Sequence, residues 1–239
     1  MSEPNRRAFV LTAAHCFHRK YLKQDLLVRL GDTIYSLNEG TEQDYGVDEI
    51  LLNGYRPSGP RSRIIRNDIA LLKLNRDPVL GPAIRTICLP HKGGRGEETD
   101  WSMEIPPETP VVSGGWGWEK DVGSDNIHPN LDKMKAINLY TLNTSVCEKV
   151  MAAGPSTVCA HDPINNADTC LGDSGGPLMR RRGSKRGKDD KGTWFVAGVL
   201  SYGPSGEENF CNVPGKFGVY TKLDESMLNW VYRRLGKEI

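Results

Sequence analysis

An excess of charge of either sign is nearly absent from this chain. Its 31 Lys and Arg are matched by 30 Asp and Glu, leaving +1 over 239 residues, so no whole-chain field favours nucleic acid or an anionic membrane. No apolar run reaches 18 residues, which argues against a membrane-spanning helix. The opening residues, MSEPNRRAFV, hold no long apolar stretch of the signal-peptide kind. Taken literally, that places the chain in the cytosol. What remains is a chain long enough to bury a substantial core in one or two domains.

Its apolar residues come in short, turn-bounded runs: Ala8–Ala14, Ile69–Leu74, Val111–Ser113, Trp194–Ser201 and Gly218–Leu223. Such runs predict short strands in an all-β protein. Residues 93–110 are rich in Gly, Pro and acid and read as a connector between two β units, the second starting near Val111. The end of the chain differs. Met227, Leu228, Val231 and Leu235 recur at helical spacing, and Asp224 or Ser226 can cap the start, which predicts a C-terminal α-helix.

Three segments carry chemistry. Leu11-Thr12-Ala13-Ala14-His15-Cys16 puts a histidine at the end of an apolar strand. Asn67-Asp68-Ile69-Ala70-Leu71-Leu72 puts an aspartate at the head of another. Gly172-Asp173-Ser174-Gly175-Gly176-Pro177 puts a serine on a glycine-lined turn. A serine hydroxyl is almost wholly protonated at neutral pH, so it needs a base that takes its proton and later returns it to the leaving group. Histidine does this, and a carboxylate fixes the imidazole tautomer and stabilises the imidazolium.

The three motifs, in the order His, Asp, Ser, resemble the trypsin/chymotrypsin family of serine endopeptidases. The resemblance implies two antiparallel six-stranded β-barrels with a cleft between them. The first barrel would span about residues 1–92, residues 93–110 would connect, the second would span 111–223, and a helix would occupy 224–239. It assigns nucleophile, base and orienting carboxylate to Ser174, His15 and Asp68, and an oxyanion hole to the backbone N–H groups of Gly172 and Ser174. Asp168 takes the floor of the primary specificity pocket, where a carboxylate pairs with substrate Arg or Lys. Thr169, Ser201, Tyr202, Gly203 and Gly218 take its walls, the two glycines leaving room for a long side chain. Tyr202 stands where the family usually has tryptophan. The other histidines, His18, His91, His128 and His161, read as surface residues.

Asp173 matches a carboxylate that, in active members, pairs with the N-terminus released by activation. Fourteen residues precede His15 here, without an Ile-Val-Gly-Gly-like segment. The expectation is therefore an N-terminally truncated chain with an incomplete first barrel and an uncompensated Asp173. The six cysteines fit the same frame. The resemblance pairs Cys147 with Cys159 and Cys170 with Cys211, and leaves Cys16 and Cys88 without partners. Cys88, in Ile-Cys-Leu-Pro, matches the tether of an N-terminal regulatory module in clip-domain and clotting-cascade members. Two buried free thiols are the alternative.

The acids of Asp32–Glu42 resemble the family's calcium loop, with carboxylates from Asp32, Glu39 and Glu42 and carbonyls from Ile34 and Leu37. A solvated acidic loop is the other reading, and no cofactor is otherwise required. Phe217, with carbonyls of Val213 and Lys216, resembles the sodium loop of clotting-type members. Residues 180–191 carry seven basic and two acidic side chains. A solvated insertion is the preferred reading over an exosite for acidic partners. Asn143-Thr144-Ser145 is a glycosylation sequon.

The functional expectation is a secreted serine endopeptidase, made as a zymogen, that cleaves protein substrates after Arg or Lys. Protein inhibitors and a module linked through Cys88 would be its partners, without nucleic acid or membrane. The alternative is a catalytically silent truncated isoform or a non-catalytic binding homologue.

Overall fold

The computed structural model describes residues 7–17, 22–59, 64–90, 105–120, 127–128, 132–151, 153–165, 167–182, 192–203, 215 and 217–236. Its elements are mostly strands. β1 (Phe9–Thr12), β2 (Leu27–Leu30), β3 (Gln43–Leu52) and β4 (Ala70–Leu74) come first. They form one sheet in the order β1-β4-β3-β2, all neighbours antiparallel.

β5 (Pro110–Gly115), the short β6 (Glu119–Lys120) and β7 (Ile127–His128), and β8 (Lys135–Thr141) follow, then β9 (Thr157–His161), β10 (Pro177–Arg182), β11 (Thr193–Tyr202) and β12 (Gly218–Lys222). β6 and β7 pair with each other, and the other six close into a barrel, β10-β11-β12-β9-β8-β5. The expected pair of β units is thus one closed barrel and one open, four-stranded sheet.

The second barrel closes because its strands alternate correctly over a single interior. Val111, Leu139, Val158, Leu178, Leu200 and Tyr220 form one buried cluster drawn from six different strands. A second cluster spans the seam between the sheets, where Ile69 and Leu71 of the open sheet meet Val196 of β11 and the last helix.

That helix, α2 (Glu225–Arg234), starts where predicted: the Asp224 carboxylate accepts from Met227 N at 3.0 Å, a standard N-cap. Met227, Leu228 and Val231 are buried, and Leu235 packs against the same cluster. A shorter helix, α1 (Thr144–Met151), was not anticipated. Its sequence TSVCEKVM is rich in β-branched residues, which are poor helix formers. Its buried Cys147 is bonded to Cys159 of β9, with Cα atoms 5.9 Å apart. The basic segment at 180–191 begins as strand, since Arg180, Arg181 and Arg182 end β10, and 183–191 lie outside the described residues. No helix among the described residues is long and apolar enough to cross a membrane.

Candidate active site

His15 sits in a single 3₁₀ turn, Ala14–Cys16, directly after β1, and Ala13 and Ala14 beneath it have no exposed surface. Asp68 sits one residue before Ile69 at the head of β4. Asn67 before it has φ +54°, a left-handed conformation that Asn tolerates better than most side chains. This turn aims the Asp68 carboxylate at His15. Oδ1 accepts from the His15 backbone N–H at 2.8 Å, and Oδ2 lies 2.8 Å from His15 Nδ1.

Asp68 is 1% exposed, and a buried charge demands further donors. The Ser201 hydroxyl donates to Oδ2, and Thr221 Oγ1 donates to the Asp68 carbonyl oxygen at 3.0 Å. Ser201 was expected in the substrate pocket, and its side chain is committed to Asp68. Thr221 was not expected at all, and nothing local in its sequence marks it. The hydrogen bond to Asp68, then that to Cys16, raises His15 from its ordinary 6.5 to about 10.

Ser174 is exposed on the turn between β9 and β10. Gly172 has φ +96°, which a side chain would strain. Among the described residues no hydrogen bond joins Ser174 Oγ to His15. The nearest polar neighbour of His15 Nε2 in the pairings observed is Cys16 Sγ at 3.8 Å, which also lies 3.9 Å from the Ser174 carbonyl oxygen. Catalytic contacts in ligand-free enzymes are often long and tighten when substrate binds.

Asp173 takes neutral donors. Its carboxylate Oδ1 accepts from Gly117 N at 2.8 Å and Oδ2 from Cys170 N at 2.9 Å. The loop holding Gly117 approaches so closely that a Cβ there would fall 2.5 Å from the Asp173 carboxylate. Trp118 N, donating to Leu171 O at 2.7 Å, fastens the same loop to the serine turn.

The pocket residues come together. Asp168 Oδ1 accepts from Thr169 N at 2.8 Å. A Cβ on Gly218 would lie 3.0 Å from Thr169 Oγ1 and 3.2 Å from Asp168 Oδ1. Among the described residues nothing lies within 4 Å of a Cβ built on Gly203, whereas the backbone of Gly218 packs closely on Thr169 and Asp168 and a side chain there would crowd them. Burial raises the Asp168 carboxyl from 3.8 to about 7. Tyr202 turns its hydroxyl to Met151 O at 3.3 Å, and burial raises it to about 12.

Of the cysteines, Cys147–Cys159 is formed and Cys170 is disulfide-bonded. Cys211 lies outside the described residues. Cys16 and Cys88 are free, the first half-buried and the second exposed, so neither is the buried thiol of the alternative reading.

Carboxylate oxygens of Asp32, Glu39 and Glu42 lie within 4.8 Å of one another. Glu39 Oε2 already accepts from Thr33 N and Ile34 N, and the Ile34 carbonyl accepts from Leu37 N. Asp32 Oδ1 is buried without a hydrogen-bond partner, an acceptor whose chemistry suits a hard cation. Phe217 is buried against Cys147, Cys159 and Val219. Val213 and Lys216, like His18, His91 and the His128 side chain, lie outside the described residues.

Comparison with known proteins bears on this geometry. The Trypsin family model matches residues 4–231. The chain is 31% identical over 233 residues to vitamin K-dependent protein C of Mus musculus, covering 97% of this chain and 45% of that protein. It is 33% identical over 242 residues to melanization protease 1 of Drosophila melanogaster, covering 93% and 54%. The chain thus spans about half the length of the curated relatives it matches. Among solved structures it resembles neuropsin, a serine protease of mouse brain, at TM-score 0.67 and 27% identity, covering 96% of this chain and 85% of that one. With the match running across nearly its whole length, the chain belongs to the trypsin family of serine proteases.

Proposed function

We propose that the chain is a serine endopeptidase domain that cleaves protein substrates after Arg or Lys through an acyl-enzyme. The observation that carries this reading is the buried Asp68 carboxylate, bonded to both the backbone and the ring of His15. Ser174 Oγ attacks the scissile carbonyl and its proton passes to His15 Nε2. Asp68 holds the opposite ring nitrogen and stabilises the imidazolium. The N–H groups of Gly172 and Ser174 take the oxyanion. His15 then gives its proton to the leaving amine, and water repeats the sequence to release the acid.

Asp168 selects a cationic side chain, because an uncharged one leaves a buried carboxylate unpaired. Thr169, Tyr202, Gly203 and Gly218 shape the path to it. Secretion, synthesis as a zymogen, protein inhibitors, a regulatory module joined through the exposed Cys88, and calcium on Asp32, Glu39 and Glu42 belong to the same reading.

One observation favours the second reading, a catalytically silent form: His15 Nε2 faces Cys16 Sγ, with no hydrogen bond to Ser174. Paired amide substrates and a fluorophosphonate probe separate the two. The active reading predicts labelling at Ser174 and a preference for Arg or Lys over Phe on the order of 10²–10⁵-fold, lost in Asp168→Ser. Equal turnover of Phe and Arg substrates contradicts the specificity, and an unlabelled Ser174 establishes the silent form.

A further inference from the structure

The chain holds a single Asn-x-Ser/Thr sequence, Asn143-Thr144-Ser145. The proposed proteolysis makes no use of it. It stands between the end of β8 and the first turn of α1, and all three residues are exposed.

Asn143 has a local duty. Its Oδ1 accepts from Ser145 N and from Ser145 Oγ, both at 2.9 Å. Its backbone carbonyl accepts from Val146 N at 3.0 Å and from Cys147 N at 3.1 Å. This is how an N-cap satisfies the free N–H groups of a first helical turn. The cap uses only the side-chain oxygen, so aspartate would serve as well. The amide nitrogen Nδ2 has no partner among the described residues, and the cap alone does not call for it.

The helix face that follows is apolar and open to water. Val146 and Val150 come three and seven positions after Asn143, on its side of α1. They are 40% and 36% exposed. With Leu142 and Phe217 they line a cavity of about 230 Å³.

We infer that Asn143 is an N-glycosylation site, and that the first sugars of its glycan lie over the Val146 and Val150 strip. Nδ2 gives up one proton and bonds to C1 of the first N-acetylglucosamine. The bond from C1 to the pyrophosphate of a lipid-linked oligosaccharide donor breaks, and the lipid pyrophosphate leaves. Oδ1 takes no part, so both cap bonds survive attachment. The sugar ring carries C–H faces as well as hydroxyls. It therefore rests on valines while its polar groups stay in water. The inference rests on the secretion that belongs to the proposed function, and not on catalysis.

The test secretes the full chain carrying Ser174→Ala from cultured animal cells, so that self-cleavage does not enter. A fused secretory signal supplies entry to the lumen, so a bare product counts against this site and not against secretion. The inference predicts a slowed gel band that peptide-N-glycosidase collapses to the mobility of the Asn143→Asp variant. Digestion in heavy-oxygen water should label residue 143 alone, because the enzyme leaves aspartate where it removes a glycan. Ser145→Thr should keep the glycan and Ser145→Ala should lose it. Since aspartate keeps the cap, any further change on digestion reports the sugar itself. Apolar-dye fluorescence should rise at least about twofold on digestion, and Val146→Ser with Val150→Ser should cancel the rise. An unmodified Asn143 in the secreted chain overturns the site and leaves that residue as a cap alone. An occupied site whose digestion leaves dye binding unchanged overturns the covering of α1.

Discussion

β12 of the closed barrel and β1 of the open sheet both serve the same histidine. β1 leads directly into His15, and β12 supplies Thr221, which holds Asp68 behind it. Yet four consecutive residues of β12, from Gly218 to Thr221, are buried, and none of Phe9–Thr12 is. The difference lies in closure. Each barrel strand has a partner on both sides and a shared interior, whereas among the described residues β1 has one partner and an apolar cavity. The closed barrel therefore does more than carry Ser174 and Asp168. Through Ser201 of β11 and Thr221 of β12 it latches Asp68, the head of β4, and so orders the open sheet where the chemistry needs it.

Breaking the latch at its centre should have the largest effect. Asp68→Asn should lower kcat by about 10⁴-fold, because the imidazole loses its tautomer and its counter-charge. Steady-state kinetics on an Arg amide checks this, and a loss under tenfold would show that the His15–Asp68 pair is not used.

Next comes the contrast in packing. Leu178→Ala, in the closed barrel and fully buried, should destabilise by about 2–5 kcal/mol. Leu27→Ala, on the exposed edge strand, should change stability by less than about 0.5 kcal/mol. Urea unfolding of both variants measures the asymmetry, and equal losses would erase it. Thr221→Val removes one hydrogen bond across the seam and should cost about 1 kcal/mol, roughly a fivefold change, with binding in the Asp168 pocket unchanged.

The smallest effects are on pH. His15 is raised above its ordinary value by Asp68, so its contribution to stability is complete below about 6.5 and is lost as pH rises through about 10. Asp168 is raised by burial, so the folded state is favoured while the carboxyl is protonated, and that contribution falls between about pH 4 and 7. Catalysis runs the other way. Arg-substrate kcat/KM should climb with pH as Asp168 ionises and His15 loses its proton, and a profile flat from pH 5 to 10 would contradict both assignments.

What was legible in the chain was local. The serine turn, the histidine at a strand end and the aspartate at a strand head are short runs whose glycine and apolar spacing is visible without a fold. The C-terminal helix announced itself through Asp224 and the spacing of Met227, Leu228 and Val231. What was not legible lies far apart in sequence. Gly117 reaches Asp173 across 56 residues, and Ser201 and Thr221 reach Asp68 across 133 and 153. These donors are ordinary residues whose role exists only after the sheets have met. The short α1 escaped because its β-branched composition reads as strand, and its place is fixed by Cys147 and burial rather than by propensity.

Native-state hydrogen exchange resolved by strand tests the account most directly. β11 and β12 should exchange only through global unfolding, while β1 and β2 exchange at least about 100-fold faster through local opening at their unpaired edges. Equal protection of β1 and β12 would contradict it, because the first sheet would then already be closed.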